Sequence, residues 1–349
     1  MLRSRAKRLS IIVPVFNGAG TLTRCLQALG DSNHSAFELF VVDDGSSDNS
    51  RAIAEQFGAT ILSTGGRFGP SKARNLAARR ATGEVLVFLD ADVAAHPDAL
   101  GRIAERFEND AALDALIGSY DDSPSDPGFV SQFKNLMHAF VHGQGNNQAF
   151  TFWCGCGAVR RTVYLEHGGL DESYDRPSIE DIELGYRMRA AGRKIALDPQ
   201  VQCKHLKTWT LWSMVRTDVL QRGIPWTGLI LRTRVLANDL NLRWSQRACV
   251  ALSGLTLVLV AMGSVLTASA SLACLLAICW INREFYAFLK SRKGWLFAIA
   301  AVPLHILYFL YSGASFVLGA VSHLLRQARS SARRLKPILR PEIENNTEW

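Results

Sequence analysis

Residues 248–281 and 295–325 contain no aspartate, glutamate, lysine or arginine. Either run exceeds the roughly 20 residues with which an α-helix crosses a bilayer. The chain before about residue 240 has the mixed polarity of a soluble fold. A globular domain anchored in a membrane is the simplest architecture: residues 1–240 globular, 241–325 membrane-embedded, and 326–349 a basic then acidic tail. "TASAS" (267–271) is placed to break the first run, giving about three helices, with "NREFYAFLKSRKG" an amphipathic or cytoplasmic link. Three crossings put the basic tail outside and two put "REFYAFLKSRK" outside, each against the positive-inside tendency; two helical hairpins keep every basic cluster inside.

The basic start "MLRSRAKR" precedes an apolar segment, residues 11–16, that is short, contains Pro14 and runs into Asn17 and Gly18. That is a first strand and not the apolar region of a secretory signal. The globular domain is therefore expected in the cytoplasm, with the chain integral to a bacterial inner membrane. The seven cysteines are odd in number and dispersed, so no disulfide framework is implied. Cys154 and Cys156 read as small residues in a tight loop and not as half a zinc site. The net charge of +8 gathers at the ends and beside the apolar runs. "RQARSSARRLKPILR" (326–340) carries six basic residues and no acidic one. Next to a hydrophobic segment such a tail suits anionic lipid head groups, and no nucleic-acid motif accompanies it.

Strand and helix signals alternate through the first half. Residues 11–15, 37–42, 60–63 and 85–89 read as strands, with helices over 19–29, 49–57 and 71–81 between them. Asp48 is placed to N-cap the second helix. Strands alternating with helices of about ten residues predict a mostly parallel sheet flanked by helices. In such sheets ligands gather at the carboxyl ends of strands. Both acidic clusters, Asp43/Asp44 and Asp90/Asp92, lie at such ends. Residues 121–157 read as a long, turn-rich insertion. "RPSIEDIELGYRMRAAGRK" reads as a helix carrying Glu180 and Asp181 near its start and a Glu183–Arg187 pair, stopped by Gly192.

Asp90 and Asp92, one residue apart after an apolar strand, project to one side if the extended geometry continues. A carboxylate pair of this kind suits Mg²⁺ or Mn²⁺ shared with substrate phosphates. It also suits a plain turn, where aspartate is common. No G-x-G-x-x-G follows the first strand and no G-x-x-x-x-G-K-[ST] occurs, which removes the main support for a dinucleotide dehydrogenase or a P-loop ATPase.

Four segments in order, "SIIVPVFNGAGTLTRCLQAL", "FVVDDGSSDNS", "GPSKARNLAARRATGEVLVFLDADV" and "GGLDESYDRPSIEDIELGYRMRAAG", resemble the family 2 glycosyltransferases of GT-A fold. The resemblance covers about residues 9–226. It implies that Val15, Asn17, Asp43 and Asp44 hold the nucleotide and that Lys72, Arg74 and Asn75 lie under it. Asp90 and Asp92 then bind the metal, Asp90 also facing the donor. It places Asp181 as catalytic base beside Glu180, and His205 as completing the metal shell. "QRGIPW" (221–226) is similar to the Q-x-x-R-W element of membrane synthases with altered spacing, which puts Arg222 near the diphosphate and Trp226 near the acceptor. The implied activity is inverting transfer from a nucleoside-diphosphate sugar to a lipid-linked, polyprenyl-phosphate or saccharide acceptor, in cell-envelope polysaccharide or glycolipid synthesis. Mn²⁺ or Mg²⁺ is the implied cofactor. The apolar helices are too few for a polymer channel. The alternatives are a membrane scaffold that only binds nucleotide sugars, and a nucleotidyltransferase. The first is expected to lose its acidic set, which is intact here. The second needs a glycine-rich loop after strand one, of which "PVFNGAGTL" is a poor version.

Overall fold

The structure, a computed structural model, describes residues 9–144 and 148–335, with side chains to residue 328. The basic start and most of the basic-then-acidic tail lie outside the described residues. Eight strands form one curled sheet: β1 (Leu9–Val15), β2 (Phe37–Asp43), β3 (Thr60–Ser63), β4 (Val85–Leu89), β5 (Val93–Ala95), β6 (Ala115–Tyr120), β7 (Cys156–Arg160) and β8 (Ile195–His205). Their order is β3-β2-β1-β4-β7-β6-β8-β5. The β3-β2-β1-β4 half is parallel throughout, as alternation predicts. β7 then enters antiparallel to both neighbours, β6 and β8 run parallel, and β5 is antiparallel to β8.

β4 is buried along its whole length, so its apolar run packs layers on both faces of the sheet. One layer holds Ile11, Val13, Val87 and Leu89 against Leu22, Leu26 and Phe107. The other holds Ile12, Leu86 and Phe88 against Ala73, Ala77 and Tyr164. Each such fully buried aliphatic side chain contributes about 1.5–3 kcal/mol. The ladder between β1 and β4 stops at Ile12–Phe88, two residues before Pro14, which has no N–H to offer. The chain leaves β1 towards β2 on one side and returns as β4 on the other. This reversal opens a crevice at the strands' carboxyl ends, and the segments after β1 and β4 border it.

Three sequence expectations are corrected here. Asp48 does not cap its own helix, Ser50–Gln56, whose N-cap residue is Asn49 without a side-chain bond. Its carboxylate accepts from the Ser50 backbone and hydroxyl and from the Ala19 N–H, so it ties two helix starts together. The insertion at 121–157 contains a helix, Phe129–Gly143, buried on most sides. The break in the first apolar run falls at Gly263 (φ +68°) and not at 267–271. Ser264 and Thr267 form a capping box that starts the next helix there.

The C-terminal helices are Trp244–Ala261, Val265–Ile281 and Arg283–Leu335, the last interrupted at Gly294 (φ 83°). Two of them, Trp244–Ala261 and Arg283–Ala328, are long and apolar enough to cross a membrane. The third helix also packs on the sheet domain. Phe285, Leu289, Ala301, Leu304 and Tyr311 share a core with Phe133, Leu136, Trp209 and Met214.

Candidate active site

A cavity of about 660 Å³ opens at the crevice beside β1 and β4, within the usual size of small-molecule sites. Of the residues singled out in the sequence, Val15, Asn17, Asp44, Arg74, Asp90, Asp92, Glu180, Asp181, Arg222 and Trp226 line it. Asp43, Lys72, Asn75 and His205 are not part of that lining.

The loops after β1 and β2 brace each other. Asn17, in the left-handed region at φ 50°, accepts from the Ser47 N–H at 2.8 Å and donates its own N–H to Ser46 Oγ at 3.0 Å. Asp43 accepts from the Ser46 N–H at 2.9 Å. Asp44 accepts from Thr64 Oγ1 and from the Phe68 and Gly69 N–H groups, all within 3.0 Å. Both carboxylates thus shape the rim through bonds to their own chain. Gly69 (φ +93°) has no room for a side chain, because a β-carbon there would sit 2.5 Å from the Asp175 carbonyl. Lys72 extends outward over the Phe68 ring, 3.3 Å from its centroid.

Helix Pro70–Arg80 delivers Arg74 into the cleft wall. Its guanidinium donates to Asp90 at 2.5 Å and to Glu180 at 3.1 Å, with side-chain exposures of 5% for Arg74 and 6% for Glu180. One buried cation therefore joins the segment after β4 to the helix Glu180–Ala190. The next residue, Asn75, donates to the Leu170 carbonyl and Glu172, and accepts from the Leu170 N–H and the Tyr164 hydroxyl. Three of these bonds hold the helix to the loop at 170–172 and the fourth holds it to the helix Arg161–Glu166. Asn75→Ala strands these buried partners and is expected to lower unfolding free energy by about 2–3 kcal/mol, read from the urea midpoint. Nucleotide affinity should change less than twofold.

Asp181 stands at the start of helix Glu180–Ala190, where its carboxylate accepts from the Cys154 N–H at 3.0 Å and the Ile182 N–H at 2.8 Å. Burial, then the neighbouring Glu180 charge, push it up from an ordinary 3.8 to about 7 against those two bonds and Arg74. Cys154 and Cys156 are free and buried, Cys154 in a turn and Cys156 already the first residue of β7.

Asp92 faces His205, Oδ2 to Nε2 at 3.7 Å. His205 is buried, stacks on Tyr120 at 4.4 Å, and its Nδ1 bonds Asn135 Oδ1 at 2.6 Å. The Asn135 amide oxygen accepts from Nδ1, which turns Nε2 towards the Asp92 carboxylate. Burial raises the Asp92 carboxyl, but His205 and Lys207 outweigh it and hold Asp92 below the usual carboxylate range. Among the described residues no three His, Cys, Asp or Glu side chains are gathered to hold a metal ion. Asp92 and His205 form a two-member donor set, while Asp90 is drawn to Arg74. The donor chemistry fits a hard divalent cation completed by phosphate oxygens: an imidazole nitrogen and a carboxylate oxygen face each other 3.7 Å apart at the cleft.

Several lining residues were not singled out in the sequence. Lys207, two residues beyond His205, lines the cleft over the Trp209 ring. Burial pulls its ammonium down, against Asp92. Arg67 lies 4.2 Å over Phe16 at the rim. Tyr120, His138, His142 and Trp153 form an aromatic wall. Burial drives His142 down to about 4 and His138 well below its ordinary value, so both imidazoles are neutral at pH 7. Arg222 sits at the other end, its guanidinium 3.4 Å from His138 Nε2, and Trp226 donates to the Tyr186 hydroxyl.

Comparison with known proteins follows this geometry. The family profile described as Glycosyl transferase family 2 matches residues 10–168. Glycosyltransferase AglE of Haloferax volcanii is 36% identical over 100 residues, 27% of this chain and 33% of that protein. The undecaprenyl-phosphate 4-deoxy-4-formamido-L-arabinose transferase of Sodalis glossinidius is 26% identical over 165 residues, 45% of this chain and 50% of its own length. The chain thus spans half or less of these two relatives. Among solved structures, the mannosyltransferase PcManGT of Pyrobaculum calidifontis, in complex with GDP-Man and Mn²⁺, superposes with a TM-score of 0.57. It shares 17% identity, with 92% of this chain and 88% of that chain covered. The likeness is one of fold, the GT-A arrangement with helices following it.

Proposed function

We propose that the chain is a family 2 glycosyltransferase that moves a sugar from a nucleoside-diphosphate donor to a hydroxyl of a lipid-linked acceptor at a membrane. The observation that carries this reading is Asp181, a carboxyl with a pKa of about 7 in the same cleft as the Asp92–His205 pair. A base poised near neutral pH is matched to taking a proton from a hydroxyl. The acceptor oxygen forms its bond to the anomeric carbon as the bond from that carbon to the diphosphate breaks. The hydroxyl proton passes to Asp181, and one displacement inverts the centre.

Asp92 and His205 would hold a divalent cation together with the donor's phosphates, with Asp90 alongside. When bound, such a cation offsets negative charge on the leaving diphosphate. Val15, Asn17 and Asp44 at the β1 and β2 ends border the space for the nucleoside. Arg222 faces the diphosphate and Trp226 the acceptor. Arg74 supports the floor from beneath, as Asp43, Lys72 and Asn75 support the rim and wall. The relative named for undecaprenyl phosphate and the apolar C-terminal helices together support a lipid-linked acceptor.

The side of the membrane follows from charge. Arg232, Arg234 and Arg243 precede the hairpin 244–281, Arg247 lies in its first turn, and Arg283, Lys290, Arg292 and Lys293 follow it, whereas its turn at 262–264 has no charge. The positive-inside tendency puts those flanks, and the cleft with them, in the cytoplasm of a bacterial inner-membrane protein.

The test uses purified protein in lipid vesicles with UDP-, GDP- and dTDP-sugars, with and without Mn²⁺ or Mg²⁺. Release of one nucleotide is expected only with metal, and Asp92→Asn should weaken metal-dependent binding of that donor at least about tenfold, the loss of one charge-assisted contact. A wild-type protein that binds donor but transfers nothing to any lipid acceptor would favour the scaffold reading.

A further inference from the structure

The segment Thr217–Gly223 is a π-helix, a form that is rare and concentrated at functional sites. It is pinned on two sides. On one, Asp218 accepts from Lys134 Nζ at 2.8 and 2.6 Å and from the Tyr311 hydroxyl at 2.7 Å. Lys134 belongs to the helix Phe129–Gly143 and Tyr311 to the apolar helix Arg283–Leu335. The Lys134 and Asp218 side chains are 2% and 9% exposed, so the triad is sealed from water. Gly223 meets the same apolar helix so closely that a β-carbon would fall 2.3 Å from Ser315 Oγ. On the other side the segment faces the cleft. Arg222 lines it, 4.0 Å from Asp218 and 3.4 Å from His138. The Gln221 carbonyl accepts from Ser178 Oγ at 2.9 Å, in the stretch that leads to Glu180 and Asp181.

We infer that Lys134, Asp218 and Tyr311 are positioning residues for Arg222, through which the apolar C-terminal helix sets the shape of the cleft and is more than an anchor. The physical reason is rigidity. A buried carboxylate held by three hydrogen bonds from two side chains has one arrangement, since each unmade bond leaves a charge or hydroxyl unsatisfied away from water. Among the described residues, Arg222, four residues on and partly exposed, has only the long His138 contact and the Asp218 charge to hold it. Its place depends on the backbone beneath it. That backbone takes its position from the triad near its start and from Ser315 at its end. Displacing the apolar helix would move Arg222 and, through Gln221 and Ser178, the approach to Asp181.

This rests on the transferase reading for its kinetic test. Tyr311→Phe removes one hydroxyl and keeps the ring's packing. In the full-length protein in vesicles it is expected to raise donor KM about fivefold with kcat within about twofold, because a ground-state contact is loosened. In an Arg222→Ala background the same change should have no further effect on KM, since its target is gone. Wild-type KM in Tyr311→Phe, or an effect that adds in full to that of Arg222→Ala, overturns the inference. Where wild type turns over no donor, the transferase reading fails alone. Amide hydrogen exchange then decides: faster exchange in 175–178 and 217–223 of Tyr311→Phe, with β1 and β4 unchanged, supports the inference, and unchanged exchange in those segments overturns it.

Discussion

Asp181→Asn is expected to lower kcat/KM for sugar transfer by about 10²–10⁴, the usual contribution of a positioned general base. The wild-type rate should climb with pH, turn at about 7 and stay level above, because only the ionised carboxylate accepts the proton. The variant should lose that limb. The stability effect has the opposite sign. Between the ordinary 3.8 and about 7 the folded protein holds a proton that the unfolded chain has released. Folding stability therefore declines as pH rises through that window. The neutral amide would relieve this, so at pH 8 the variant should unfold at the wild-type urea midpoint or above it. A crippled but fully stable variant cannot be explained by misfolding. If Asp181→Asn keeps the wild-type rate, the acceptor oxygen needs no base, and an already ionised phosphate becomes the acceptor.

The second large effect is structural. Arg74→Met should cost about 3–5 kcal/mol of unfolding free energy, the typical result of removing one partner from a buried ion pair. Glu180 is left nearly sealed from water with a charge and only the Ser178 N–H as donor. Adding Glu180→Gln to Arg74→Met should restore at least half of the loss, since the unpaired charge is gone. Asp90→Asn should cost far less, because that side chain is 36% exposed and water takes up the work of the guanidinium. Urea midpoints of the four proteins measure this directly. An Arg74→Met variant within about 1 kcal/mol of wild type would mean that the bridge is open to solvent.

Much of the parallel half-sheet was legible. The strands at 11–15, 37–42, 60–63 and 85–89 appear within a residue or two of their expected bounds, because an apolar run between turn residues has few other places to go. Asp90, Asp92, Glu180 and Asp181 converge on one cleft, as the ordered segments imply. The helix Phe129–Gly143 was missed although Phe133, Leu136, Met137 and Phe140 carry helical spacing. Its polar residues disguised it. Gln132, Lys134, Asn135 and His138 look like a solvated loop until Asp218, His205 and Arg222 arrive from elsewhere in the chain to bond the last three. Lys207 was passed over for the same reason, since nothing local separates a cleft lysine from a surface one. Asp48 sits one residue before the N-cap position, which Asn49 takes, and its second oxygen goes to the Ala19 N–H, distant in sequence.

By itself, then, the sequence determined where apolar matter lies and with what period, and so the strands, most helices and the C-terminal apolar hairpin. Those are decided within a window of about ten or twenty residues, where burial follows from the spacing of side chains alone. Only the tertiary structure decided which charges meet: Arg74 between Asp90 and Glu180, His205 turned by Asn135 towards Asp92, Tyr311 reaching Asp218. A buried polar group is stable only with its partner in place, and the partner's position is a property of the whole fold.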